Sequence, residues 1–240
     1  MHSTATSFAP PVIDDNLLAS YQRDGVVIVR QAISPDWVER MNRFAQAQLD
    51  APSRWVNDQP ESSDTGGRLF TDRYLWRTHE DVRAFAFESG VAGLVGQLMG
   101  SHTARLYFDH LLIKEPRTLA PTPWHQDAPY WPFQGRQIAS AWVALTDASV
   151  EGSAMEFVRG SHRDGRVYRP EVFGSADKNG SASWQNKSEA ERVPAIEADR
   201  SAFDITGWDM RAGDAVVFSA WVLHGARGNA SAAQRRVALS

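Results

Sequence analysis

The chain has no cysteine among its 240 residues. Disulfides, thiolate metal sites and a thiol nucleophile are therefore excluded, and a transition-metal site would have to use histidine and carboxylate. Positive charge is not concentrated either. The net charge is −4, so no global basic field recruits nucleic acid or an anionic membrane. No apolar run approaches the roughly 18 residues needed to cross a bilayer. Residues 1–11 are rich in Ser, Thr, Ala and Pro and lack the basic and apolar parts of a signal peptide. These absences read together as a soluble cytoplasmic protein with a small-molecule partner rather than a nucleic acid or a membrane. There is no internal repeat and no low-complexity tract.

What is present is an ordinary globular composition, 42% hydrophobic and 22% charged, long enough to bury a sizeable core. One domain over residues 1–240 is expected, with residues 1–11 as a loose tail. Asp14 caps a short helix through Arg23, and Val26 to Val29 is a β-branched strand. Ser34-Pro35 starts a second helix whose apolar residues Trp37, Val38, Met41, Phe44 and Ala45 recur at helical spacing. Residues 53–68 read as a long polar loop, 68–76 as strand-like, and 80–99 as one or two helices. From residue 104 the pattern becomes short strands: 105–114, 137–145, 154–158, 215–218, 221–224 and 236–239. Many short strands separated by turns predict a β sandwich or barrel. Residues 163–205, with Trp184, form a polar excursion expected to lie over the site. The chain stops at Ser240 inside an expected strand, which reads as a truncated end.

Chemistry concentrates at Trp124-His125-Gln126-Asp127. In an extended segment, residues i and i+2 share a face, so His125 and Asp127 would present a nitrogen and a carboxylate side by side. A divalent cation there needs a third ligand, and His224, far downstream, is the candidate. Two histidines and one carboxylate leave open coordination positions, the arrangement of non-haem Fe(II) oxygenases. By pattern alone the bland reading, two polar residues in a surface loop, is the better one. An arginine after His224 could grip a carboxylate bidentately. Arg235 and Arg236 alternate, so only one can look inwards. Two solvated arginines at a turn is the plain alternative. His110 faces either the cavity or solvent, and His162 in Gly-Ser-His reads as a structural turn residue.

The stretches Pro-Trp-His-Gln-Asp (123–127), Trp-Val-Ala-Leu-Thr-Asp (142–147), Glu-Gly-Ser-Ala-Met-Glu-Phe-Val (151–158) and Gly-Ser-His (160–162) resemble the phytanoyl-CoA dioxygenase family of Fe(II)/2-oxoglutarate oxygenases. Met210-Arg-Ala-Gly-Asp214, His224-Gly225, Asn229, Ser231 and Arg235-Arg236 resemble its closing motif, and residues 21–29 its opening helix and strand. The resemblance implies a mainly β fold, a double-stranded β-helix or jelly roll of the cupin kind, with flanking α-helices. It implies Fe(II) on His125, Asp127 and His224. It implies 2-oxoglutarate as co-substrate, its far carboxylate on Arg235, eleven residues beyond the distal histidine. Trp142 matches a position near 2-oxoglutarate, and Lys114, Thr122 and Gln126 are further candidates for that pocket. It implies O2 as the second co-substrate, with succinate and CO2 as by-products. Asp127, rather than a residue without a carboxylate, favours oxygenation over halogenation. Arg159 departs from the proline usual before Gly-Ser-His. Hydroxylation of a small metabolite is expected, with desaturation, epimerisation, cyclisation or a non-redox cupin-like binding protein as alternatives. The aromatic set Tyr130, Trp131, Phe133 and Trp184 could wall a small cyclic substrate. Arg163, Arg166 and Arg169 lie together after His162 and are a thin suggestion of an acyl-CoA's phosphates, so a small metabolite is favoured.

Overall fold

The computed structural model describes residues 8–60, 67–170 and 190–240. The parts of the tail, of loop 53–68 and of excursion 163–205 that fall outside them, Trp184 included, lie outside the described residues. Four helices precede the strands that carry the site. Helix α1 (Asp15–Asp24) starts where the Asp14 carboxylate accepts from the Leu17 amide, and stops at Gly25 with φ 78°. Gly25 serves twice, because a Cβ there would also lie 2.4 Å from Nδ1 of His162. Helix α2 (Pro35–Asp50) is capped by Ser34 and carries proline in its first turn, as the spacing predicts. Helices α3 (Glu80–Glu88) and α4 (Val91–Leu98) divide at Gly90, which takes φ 91°.

The strands are β1 (Val26–Val29), β2 (Asn57–Pro60), β3 (Arg68–Arg73), β4 (His110–Lys114), β5 (Thr122–His125), β6 (Ala139–Ala144), β7 (Met155–Val158), β8 (Ile205–Gly207), β9 (Ala215–Ser219), β10 (His224–Ala226) and β11 (Arg236–Leu239). They form a seven-stranded sheet, β1-β9-β6-β11-β4-β3-β2, and a four-stranded sheet, β5-β10-β7-β8. Every pairing is antiparallel. Period-2 alternation sends the large sheet's odd-numbered Val27, Val29, Val143, Val217, Val237 and Leu239 to a core shared with the helices. Its even-numbered Val26, Trp142, Ala144, Val216, Phe218 and Ala238 join Met155 and Phe157 of the small sheet in a second core. The small sheet's other face packs Trp124, Val158 and Leu223 against Tyr168 and Ile196. Two antiparallel sheets face to face, with helices outside the larger, make the expected jelly roll.

Several elements differ from expectation. The strand expected over 105–114 begins only at His110; the preceding aromatic run leaves the ladder to line a cavity. Part of the expected loop 53–68 is β2, hydrogen-bonded to β3. The strand expected over 221–224 lies at His224–Ala226. The excursion runs into β8, which begins at Ile205 and pairs with β7 in the small sheet. Among the described residues, no helix is long and apolar enough to cross a membrane.

Candidate metal centre and oxoacid pocket

His125 ends β5 and His224 begins β10, and the antiparallel register sets them opposite each other. Their ring centroids are 4.1 Å apart. Gly225 permits this pairing, since a Cβ there would sit 3.0 Å from the Thr122 carbonyl and 3.3 Å from the Trp124 ring. His224 is buried among Phe157 and Phe218. Asp127 is brought in differently from the extended pair expected: it lies past the end of β5, with φ −74° and ψ −42°, at the start of a 3₁₀ turn. A turn, rather than strand alternation, swings its carboxylate beneath both imidazoles.

The three side chains offer ligand atoms that all lie within 4.8 Å of one another. Asp127 Oδ1 is 3.5 Å from Nε2 of His125 and 3.5 Å from Nε2 of His224. Nδ1 of His125 is 2.8 Å from the Pro123 carbonyl and Nδ1 of His224 is 3.0 Å from that of Val222. A carbonyl only accepts, so in the neutral rings each Nδ1 carries the proton and each Nε2 offers a lone pair. Two lone pairs and a carboxylate oxygen then converge with no proton between them, which fits a divalent cation. Burial alone would raise the Asp127 carboxyl, but His224 and His125 hold it below the usual carboxylate range. Burial and the charge of His224 push His125 down against the opposing pull of Asp127. Asp127's other oxygen accepts from Ser140 Oγ at 2.7 Å. Ser140, on β6, is a site residue that no motif had singled out.

The arginine assignment needs correction. Arg235 points away from the interior: its guanidinium pairs with Glu115 at 2.8 Å and bonds Gln46 Oε1. Arg236 is the inward one, because it is opposite Lys114 on β4 and shares the parity of Ala238. Its guanidinium lies 5.3 Å from the Trp142 ring centroid. Nη1 donates to the Ser153 carbonyl at 3.1 Å, while Nε and Nη2 are buried without partners. Burial lowers its pKa to about 10, so it stays charged at neutral pH. A buried cation with two free donors is poised for a carboxylate.

The other candidates divide. Trp142 is buried beneath Arg236. Lys114 is fully buried, with its ammonium donating to the carbonyls of Ala120 and Arg227. Thr122 is half-buried at the start of β5, paired with Ala226. Gln126 is not a pocket group. Its amide donates to the Arg166 and Trp221 carbonyls and its oxygen accepts from the Tyr168 amide, tying three segments together. Arg159, the departure from the motif, bonds Thr206 on β8. His162 is structural, its Nε2 3.2 Å from the Gln22 carbonyl.

A cavity of about 790 Å³ reaches this centre at Asp127 and Ser140. His110 lines it, with Nε2 buried and unpartnered. Burial pushes its pKa down to about 3, assisted by Arg73 and Arg236 and opposed by Asp127 and Asp72.

The family described as Phytanoyl-CoA dioxygenase (PhyH) matches residues 21–237. A 2-aminoethylphosphonate dioxygenase from Uncultured bacterium HF130_AEPn_1 is 24% identical over 203 residues, 84% of this chain and 68% of that protein. The non-heme alpha-ketoglutarate-dependent carbocyclase SnoK from nogalamycin biosynthesis superposes with a TM-score of 0.74 at 23% identity, over 97% of this chain and 85% of that one. The epimerase SnoN in complex with Fe3+, alpha ketoglutarate and nogalamycin RO gives a TM-score of 0.69 at 25% identity, over 94% of this chain and 80% of that one.

Proposed function

This chain belongs to the phytanoyl-CoA dioxygenase family of Fe(II)- and 2-oxoglutarate-dependent dioxygenases, and from that premise we propose that it hydroxylates an unactivated C–H bond of a small-molecule metabolite. We assign the iron to His125, Asp127 and His224. The observation that carries this is the convergence of three proton-free donor atoms, two of them fixed by backbone carbonyls on the far side of each ring.

The bound iron would supply O2 activation coupled to decarboxylation of 2-oxoglutarate to succinate and CO2. The chain's own groups bind and orient. Arg236 takes the far carboxylate of 2-oxoglutarate through its two free donors, with Trp142 as the plate beneath it. Ser140 holds the Asp127 carboxylate in one rotamer, leaving Oδ1 for the metal. The cavity that ends at Asp127 gives the substrate its approach to the metal. Among the relatives, one is named a dioxygenase, one a carbocyclase and one an epimerase. The same metal chemistry therefore reaches several products, and placement of the substrate decides between them. A module that holds only a metal has no need of an unpaired buried guanidinium, and succinate release separates the oxygenase from a non-redox protein that binds a carboxylate there.

The test is anaerobic titration with Fe(II) and 2-oxoglutarate, following the weak visible charge-transfer band of the chelate, then succinate release in air. Wild type should show both. Asp127→Ala should lose both, and Arg236→Leu should weaken the band and raise the 2-oxoglutarate requirement more than tenfold. Metal binding without a band would overturn the assignment.

A further inference from the structure

We propose that the substrate is a rigid, ring-bearing, largely apolar molecule carrying a hydroxyl group, with its rings on an aromatic wall and its hydroxyl on His110. This names the substrate class of the oxygenase site and rests on that reading for the position of the reacting bond, beside Asp127.

The wall comes from two segments. Tyr107 meets Phe133 edge to face at 4.7 Å, Phe108 at 5.3 Å and Trp131 at 6.0 Å, while Trp131 stacks on Phe133 at 5.7 Å. Each ring limits the rotation of the next, so the wall is already ordered before anything binds. Tyr107 is nonetheless 37% exposed, an amount of aromatic surface that a bound ring would cover. All four line the same cavity as Asp127. Its volume, about 790 Å³, is that of a site for a drug-sized ligand. Arg105 is the one lysine or arginine among the described lining residues, so those residues offer the phosphates of an acyl-CoA a single cation.

His110 supplies the polar contact. Among the described lining residues, His110 Nε2 is the one buried side-chain polar atom without a partner; Asp109 accepts from the Leu75 and Trp76 amides, Ser140 donates to Asp127, and Gln137 donates to the Met99 carbonyl. Nε2 of His110 is buried and has no partner, a condition that costs free energy until a ligand relieves it. A neutral imidazole donates from one nitrogen and accepts at the other. A hydroxyl can answer either, whichever tautomer is present.

The probes are 2-naphthol and its near-isostere 2-methylnaphthalene, titrated by fluorescence into the full chain without metal or 2-oxoglutarate. Wild type should bind 2-naphthol about tenfold more tightly than 2-methylnaphthalene. His110→Leu should bring that ratio close to one while changing 2-methylnaphthalene affinity by less than about threefold, and His110→Asn should restore part of the ratio. Tyr107→Ala should weaken both probes together. Equal affinities in wild type, a preference that survives in His110→Leu, or no binding of either probe to folded protein would overturn the proposal. The iron chelate and succinate assay is independent of these probes. Succinate with no naphthol preference removes the substrate inference alone, and naphthol preference with no chelate removes the oxygenase assignment alone.

Discussion

Arg236 keeps a full positive charge in a place from which water is largely removed, and one carbonyl and one indole face are what its guanidinium meets there. Removing a poorly compensated buried charge is often neutral or stabilising. Arg236→Met is therefore expected to lose 2-oxoglutarate binding while the ligand-free protein unfolds at the same urea concentration or a higher one. Arg235→Ala should do the opposite, keeping 2-oxoglutarate binding and losing about 0.2–1 kcal/mol with its partly exposed Glu115 pair. Ser140→Ala should weaken metal affinity about 10-fold to 100-fold, read by competition with a chromogenic chelator, since Asp127 then loses the bond that orients it. His110 gives a pH signature. The unfolded imidazole takes up a proton near its usual 6.5, while the buried one does so only at about 3. Between those values the unfolded state binds more protons, so stability falls as pH falls below 6.5. Urea unfolding at pH 7.5 and pH 5 should show wild type losing roughly 1–2 kcal/mol more than His110→Leu. The two arginines also show where residue-level reading stops. A pair of adjacent arginines on a strand lets only one face inwards, but β11 is buried on both faces, so hydrophobicity alone does not say which.

At the scale of elements, the centre depends on one strand pairing, β5 with β10, and on the turn after β5. Glycine makes close approach possible there. At Gly228 a Cβ would lie 2.3 Å from the Leu119 carbonyl oxygen, a contact with backbone that cannot swing aside. Gly228→Ala is expected to cost about 1–3 kcal/mol in urea unfolding and to weaken metal binding, because the connection from β10 to β11 must shift. Ser34→Ala, which removes the α2 cap far from the site, should cost about 1 kcal/mol and leave metal affinity unchanged. Helix α2 was legible because its cap, its first-turn proline and its 3.6-residue stripe are all local. Strand β4 was half legible: the apolar run from Arg105 reads as one strand, but Tyr107 and Phe108 leave the ladder for the cavity. Strand β2, with Asn57, Asp58, Gln59 and Pro60, carries no strand signal and exists because β3 offers it an edge.

For the whole molecule, a metal that binds the folded state and not the unfolded one stabilises it by mass action. Mn(II), redox-silent in this use, at about a hundred times its dissociation constant should add about 2.7 kcal/mol, or roughly 5–11 °C in Tm for a chain of this size. Asp127→Ala should show no such rise. The sequence by itself determined a mainly β pattern with helices ahead of most of its strands, the capped helices, the His-x-Asp and distal His as the candidate ligands, and the exclusion of thiolate chemistry. Each of these rests on residue type, local periodicity or motif order. Only the tertiary structure decided that Arg236 and not Arg235 looks inwards, that Gln126 is a tether, that Ser140 steadies Asp127, and that His110 lines the cavity with Tyr107 and Phe108. Those outcomes depend on which face of a doubly buried strand meets the second sheet and on contacts between segments 13 to 95 residues apart, and neither is written in the spacing of any one stretch.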